Sequence, residues 1–173
     1  GTTRIIEVAL EFPEAISQLK ARTVSINDTA NTLASSVRGI SNADHLISAC
    51  QQLISITSYV SPDDGIPYPN TEDTINTAYG ALVQHSAGSE GYAMAYKAIC
   101  DILRLDCRVV RGTLDGKEHA WNIVELYGSY YHIDPSMCDI AGMDTAFLLT
   151  DQQMQARYSW DTDQYPICNG EFT

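Results

Sequence analysis

The sequence predicts an α+β domain, with helices packed on an antiparallel β-sheet laid down as a meander. Three observations predict it. Between Ser41 and Leu103, outside the loop after Ser61, the apolar residues recur at helical spacing. From Cys107 the period changes to strand-like alternation. Two tight-turn signals, Asp115-Gly116 and Gly128-Ser129, then cut the second half into three consecutive strands.

Each element follows in order. Residues Arg4 to Phe12 are rich in Ile and Val and read as a strand that Pro13 ends. Pro13 to Arg38 is weakly helical. Ser41-Asn42-Ala43-Asp44 is a helix start, and Leu46, Ile47, Leu53, Ile54 and Ile56 continue an amphipathic helix to about Tyr59. Ser61 to Thr71 carries three prolines and a glycine and reads as a loop. Glu72 to Val83 reads as a short helix, Gln84 to Gly88 as a break, and Ser89 or Glu90 to about Leu103 as a second amphipathic helix. Three strands follow: Cys107 to Leu114, His119 to Leu126, and Tyr130 to Asp134, stopped by Pro135. In the tail, Thr150 to Arg157 is helical. Residues 1–40 read as an N-terminal strand and helical extension, and 41–173 as a single globular core.

Composition narrows the function. A chain of 173 residues with 45% apolar content is long enough to bury a core without disulfides. Its net charge of −12 opposes nucleic acid and anionic membrane surfaces. No run reaches the roughly 18 apolar residues of a membrane span. The cysteines are five and irregularly spaced, which is no disulfide framework. Cys100 and Cys107 read as buried thiols, and a Cys138–Cys168 pair stays open. His132, Cys138 and Asp139 match no zinc spacing, so no metal and no cofactor is expected.

Three polar residues stand in the order nucleophile, base, orienter. Ser89 lies in Ala87-Gly88-Ser89-Glu90-Gly91-Tyr92-Ala93, His119 opens His119-Ala120-Trp121-Asn122, and Asp134 closes Tyr130-Tyr131-His132-Ile133-Asp134. Hydroxyl, imidazole and carboxylate in succession are the parts of an activated nucleophile. Plain alternatives exist: Ser89 as a helix N-cap, and Asp134 as a strand-end residue satisfying the next turn. A turn at Gly128-Ser129 would pair Ile123 with Asp134 and leave His119 four positions away, so shear or a bulge must close that gap.

These runs resemble the core of the transglutaminase-like superfamily, a group of papain-like thiol enzymes. There the first run reads roughly Val-Cys-Glu/Gln-Gly-Tyr-Ala, the second His-Ala-Trp-Asn and the third Trp-Tyr-His-Val-Asp. The likeness covers about Ser41 to Asn169. Phe147-Leu148-Leu149 and Tyr165-Pro166-Ile167-Cys168 resemble the tail of bacterial members. The resemblance implies catalytic roles for the positions of Ser89, His119 and Asp134, with Tyr79, Gln84 and Trp121 as candidates for oxyanion or substrate contacts. It implies a protein or peptide substrate, a cell-wall peptide among the candidates, and a secreted or cell-surface location after loss of an N-terminal segment. No calcium-loop pattern is visible.

The departures cluster. Ser89 stands where the family has cysteine, Gly88 where an apolar residue is usual, and Met137-Cys138 where Thr-Trp is common. A single Cys→Ser exchange made to trap substrate would alter position 89 alone, so the neighbouring departures favour natural drift. Two readings follow. One is a catalytically impaired binding module. The other is an acyl-transfer enzyme, either a peptidase or transamidase disabled by Cys→Ser, or a Ser-His-Asp hydrolase.

Overall fold

The computed structural model describes residues 16–61 and 74–170. The strand expected at Arg4 to Phe12 lies outside them, as does most of the expected loop after Ser61. Helix α1 (Ile16–Ser36) fills most of the weakly helical stretch. Its buried residues Ala30, Leu33 and Ala34 sit in its C-terminal half and join the main core. Packing, rather than terminal charge, therefore holds this helix.

Helix α2 (Asn42–Ile56) begins where the sequence predicts. Ser41 Oγ accepts the Asp44 N–H at 3.1 Å, and Asp44 Oδ2 accepts the Ser41 N–H at 3.1 Å, forming a capping box. It ends short of Tyr59 because the chain turns extended into β1 (Ser58–Tyr59), which pairs in parallel with β2 (Ser86–Ala87). The helix expected over Glu72 to Val83 is only α3 (Ala78–Leu82). Thr77 explains the later start, since its hydroxyl caps the Gly80 N–H at 3.2 Å.

Helix α4 (Ser89–Ile102) is the hub of the helical layer. Gly91, Tyr92, Ala93, Ala95, Tyr96, Ile99 and Cys100 are all buried, while Met94, Lys97 and Asp101 mark its solvent face. Two phenols are anchored within it: Tyr96 donates to the Leu46 carbonyl at 2.9 Å, and Tyr92 shares its one O–H between Asp139 Oδ2 at 2.5 Å and the Thr57 carbonyl at 2.9 Å. At its N-terminus Gly91 permits close approach, because a Cβ there would lie 2.5 Å from the Ile75 carbonyl oxygen.

The meander is formed by β3 (Cys107–Leu114), β4 (Lys117–Leu126) and β5 (Ser129–Ile133). Leu114 faces Lys117, leaving Asp115 and Gly116 as a two-residue loop with φ of 50° and 81°. That is the left-handed pair a tight hairpin requires. The second turn falls one residue earlier than expected. Leu126 faces Ser129, so the loop is Tyr127-Gly128, with φ of 54° and 84°. Glycine again takes the second loop position, which moves the register of β5 by two residues from the expected one.

Asp134 and Pro135 do more than stop a strand. They open α5 (Pro135–Ala141), a helix the sequence reading missed, with Asp134 as N-cap and Pro135 in its first turn. Next come β6 (Phe147–Leu149), α6 (Asp151–Met154) and β7 (Tyr158–Ser159). The five-stranded antiparallel sheet has the order β6-β5-β4-β3-β7. One face packs on the helices through Val124, Leu126 and Ile133. The other carries a smaller cluster of Val110, Trp121, Ile123, Met154, Tyr158 and Cys168. Cys138 belongs to the first core and Cys168 to the second, so the pairing left open between them does not form; the described cysteines are free thiols.

Candidate functional site

The observed register brings His119 and Asp134 together. Asn122 faces Ile133, so one further step of the ladder sets Asp134 beside Trp121, two positions from His119 on the same face. The expected turn would have left four. A diagonal reach between side chains spans the remainder. His119 Nε2 lies 2.6 Å from Asp134 Oδ2. The one register irregularity near the site lies on the β6 side, at His132/Ile133. The earlier turn, not a bulge between β4 and β5, closes the gap.

Asp134 is fully buried and accepts four hydrogen bonds. Oδ1 takes the Ser136 hydroxyl at 2.7 Å and the Met137 N–H at 3.1 Å. Oδ2 takes His119 Nε2 and the Tyr158 hydroxyl at 2.9 Å. Four donors match the lone-pair capacity of a carboxylate. The plain alternative for Asp134, a residue satisfying the next turn, therefore holds alongside the imidazole contact. Because the carboxylate accepts, Nε2 carries the ring proton and Nδ1 is the nitrogen left with a lone pair.

Ser89 is not the helix cap; Gly88 is, in an extended conformation without a side-chain bond. Ser89 is the first residue of α4, and its Oγ accepts the Ala120 N–H at 3.2 Å. The hydroxyl thus faces the strand that carries His119. Ser89 and His119 line one cavity of about 330 Å³ together with Gly88, Asn76, Arg111 and Glu118. At its rim Arg111 reaches across to Glu90 at 2.6 Å. The Gly88 N–H is held by the Ile75 carbonyl and the Tyr92 N–H by the Gly88 carbonyl, so the N–H groups of Ser89, Glu90 and Gly91 are the ones that open α4 without an acceptor within the helix.

Three expected contact residues do not reach this cleft. Trp121 is fully buried beneath the sheet and donates its Nε1–H to His132 Nδ1 at 2.9 Å. Strand alternation puts it on the same face as His119, two positions along β4 and deeper in the second core. Tyr79 lies under the Arg22 guanidinium, 4.8 Å from ring centroid to Cζ, on the α1 side. Gln84 is exposed and accepts the Thr74 hydroxyl at 2.6 Å.

No family model matches the sequence, and neither does any curated protein. Among solved structures, a TGase superposes with a TM-score of 0.56 over 72% of this chain and 34% of its own, at 17% identity. A candidate cysteine protease from Cytophaga hutchinsonii gives 0.49 over 66% of this chain and 37% of its own, at 13% identity.

The chain has a transglutaminase-like fold.

It spans about a third of the length of that TGase. Two features of this transglutaminase-like domain had no signal in the sequence. Tyr158 sits on β7, at the far edge of the sheet, yet its hydroxyl shares Asp134 Oδ2 with His119. Its ring meets the imidazole edge-on at 5.9 Å. Burial and the neighbouring Asp134 hold its phenol far above its ordinary pKa, so it acts as a neutral donor. Asn76, in the turn before α3, lines the cleft beside Gly88.

The cluster around His132 is of another kind. His132, Asp151 and Cys168 have donor atoms within 4.8 Å of one another. The Trp121 N–H occupies Nδ1, so the ring proton sits on Nε2 and is shared with Asp151 at 2.8 Å. A nitrogen that donates is not a metal ligand. Burial pushes the His132 imidazole below its ordinary pKa, only partly offset by Asp151. Burial, with Asp151 nearby, raises the Cys168 thiol to about 12. Cys138 and Asp139, the other members of the considered metal set, belong to the α5 side, where Asp139 accepts the Tyr92 hydroxyl at 2.5 Å.

Proposed function

We propose that this domain keeps the cleft of a transglutaminase-like acyl-transfer enzyme but not its nucleophile, and that it binds a protein or peptide, a cell-wall peptide among the candidates, without efficient turnover. One observation carries the reading: Ser89 Oγ shares a cleft with an imidazole that a buried carboxylate holds in one tautomer. Every part serves a thiol better than a hydroxyl. A helix N-terminus and an imidazole partner lower a thiol pKa into the neutral range. The same helix end contributes only ~1 kcal/mol, far too little to ionise a hydroxyl.

A second reading draws on the same tautomer. With Nε2 engaged by Asp134, Nδ1 is available as a general base, and Ser89 would act as in serine hydrolases. Turnover of an activated ester and of a glutamine peptide by the native chain, Ser89→Cys and His119→Ala separates the two. The binding reading expects an inert native chain and an active Ser89→Cys variant. Native turnover that His119→Ala abolishes would favour the hydrolase. Turnover absent from both the native chain and Ser89→Cys would mean that the cleft has lost its acyl-transfer machinery, not only its sulfur.

A further inference from the structure

We propose that Asn76 is the side-chain donor of the oxyanion site in this cleft, with the Ser89 N–H as the backbone donor; the proposal rests on the acyl-transfer reading of Ser89. A tetrahedral intermediate formed at position 89 turns the substrate carbonyl oxygen into an oxyanion. That oxygen needs two donors already in place. The Ser89 N–H is the first free amide of α4 and supplies one. Tyr79 and Gln84, the candidates the sequence offers for the other, are both engaged elsewhere.

Asn76 is the only uncharged side chain with an amide in the described lining of the cleft. It is exposed, and among the described residues its amide has no hydrogen-bond partner. Its place is fixed by the backbone around it. The Gly88 N–H donates to the Ile75 carbonyl at 2.9 Å, and the Thr77 N–H to the Thr74 carbonyl at 3.0 Å. The first ties the 74–77 turn to the residue that precedes α4, and the second closes the turn on itself. Gly91 allows that contact: a Cβ there would press on the Ile75 and Thr77 carbonyls at 2.5 and 2.9 Å.

Gly88 is the second, independent pointer. A Cβ at this position would lie 3.2 Å from Asn76 Oδ1. Any side chain at 88 would make the amide give way by a few tenths of an ångström. Here the glycine lets the amide lie against the backbone that leads into Ser89. Gly88 and the placement of Asn76 thus belong to one arrangement. Rotation of the amide exchanges its O and N, so Nδ2 can face the reacting carbonyl.

The step balances simply. In Ser89→Cys, His119 Nδ1 takes the thiol proton, the thiolate attacks the carbonyl carbon, the C=O π pair moves onto oxygen, and Asn76 Nδ2–H and the N–H of residue 89 stabilise that charge. Collapse re-forms C=O and expels the leaving group, which takes its proton from His119.

Two readouts in the Ser89→Cys background test this. Iodoacetamide alkylation builds no oxyanion and reports only the nucleophile. Hydrolysis of p-nitrophenyl acetate builds one. Ser89→Cys/Asn76→Ala is expected to lose about 100-fold in ester hydrolysis while alkylating within about two-fold of Ser89→Cys. Ser89→Cys/Asn76→Asp, nearly isosteric but without the donor, should lose at least as much with unchanged far-UV circular dichroism. Fast alkylation with ester hydrolysis indifferent to Asn76, or with none at all, would overturn the Asn76 assignment alone. Alkylation no faster than a free thiol would overturn the acyl-transfer reading beneath it.

Discussion

Asp134 is the residue on which most of the site hangs. It caps α5 with one oxygen and holds His119 and Tyr158 with the other, so the fold and the candidate chemistry depend on the same carboxylate. Tyr158→Phe removes one buried donor to that charge and nothing else. Urea unfolding should show a loss of about 1.5–3 kcal/mol. An unchanged midpoint would mean that the hydroxyl contributes nothing to holding the pair. His132 makes a different prediction. Its imidazole is held below its ordinary 6.5, so the unfolded chain binds a proton more readily than the folded one. Its contribution is complete above about pH 6.5. It is lost as pH falls below that value toward the depressed one. Between pH 7.5 and 5.5 the native protein should therefore lose more stability than His132→Gln does. Equal slopes would show that the ring is not held neutral by its burial.

At the scale of elements, what could be read from the sequence depended on whether the signal was local. Strand β3 falls where alternation and Asp115-Gly116 put it, since both the period and the turn lie within a few residues. Helix α2 starts at its expected cap for the same reason. The second hairpin slipped by one residue because Tyr127 gives no hint of a left-handed conformation; only the demand for glycine at the second loop position places it. Helix α5 was missed because Asp134-Pro135 is equally a strand stop and a helix start. The placement of Tyr158 had no local signal, because it depends on β7 crossing to pair with β3. Gly112 makes that crossing tight. A Cβ there would lie 2.1 Å from the Ser159 carbonyl oxygen and 2.8 Å from Trp121 Cη2. Gly112→Ala should cost about 1–3 kcal/mol and loosen β7. Hydrogen exchange at Ser159 and the meander amides checks this, and native-like protection throughout would contradict it.

Across the whole molecule, two cores separated by one sheet explain why the site can be built at all. The helical layer, centred on α4, brings Ser89 and its unpaired N–H groups to one wall of the cleft. The meander brings His119 to the other wall, with Asp134, Trp121 and Tyr158 fixed behind it. The positions of Ser89, His119 and Asp134 were readable as three short runs. Their convergence was not, because it needs the turn position and the sheet register together. Among the described residues no helix is long and apolar enough to cross a membrane. The acidity of the chain, at −12, disfavours polyanionic partners on Coulombic grounds.

The proposed reading, that the cleft would suit a thiol at the position of Ser89, is probed most directly by one titration. Alkylation of Ser89→Cys is followed as a function of pH, with the five native thiols kept buried by native conditions. The account predicts a thiol that reacts at full rate well below pH ~8.5, the value of a free cysteine, and that loses this shift in Ser89→Cys/His119→Ala. A midpoint near that of a free thiol, unchanged by His119→Ala, would contradict it.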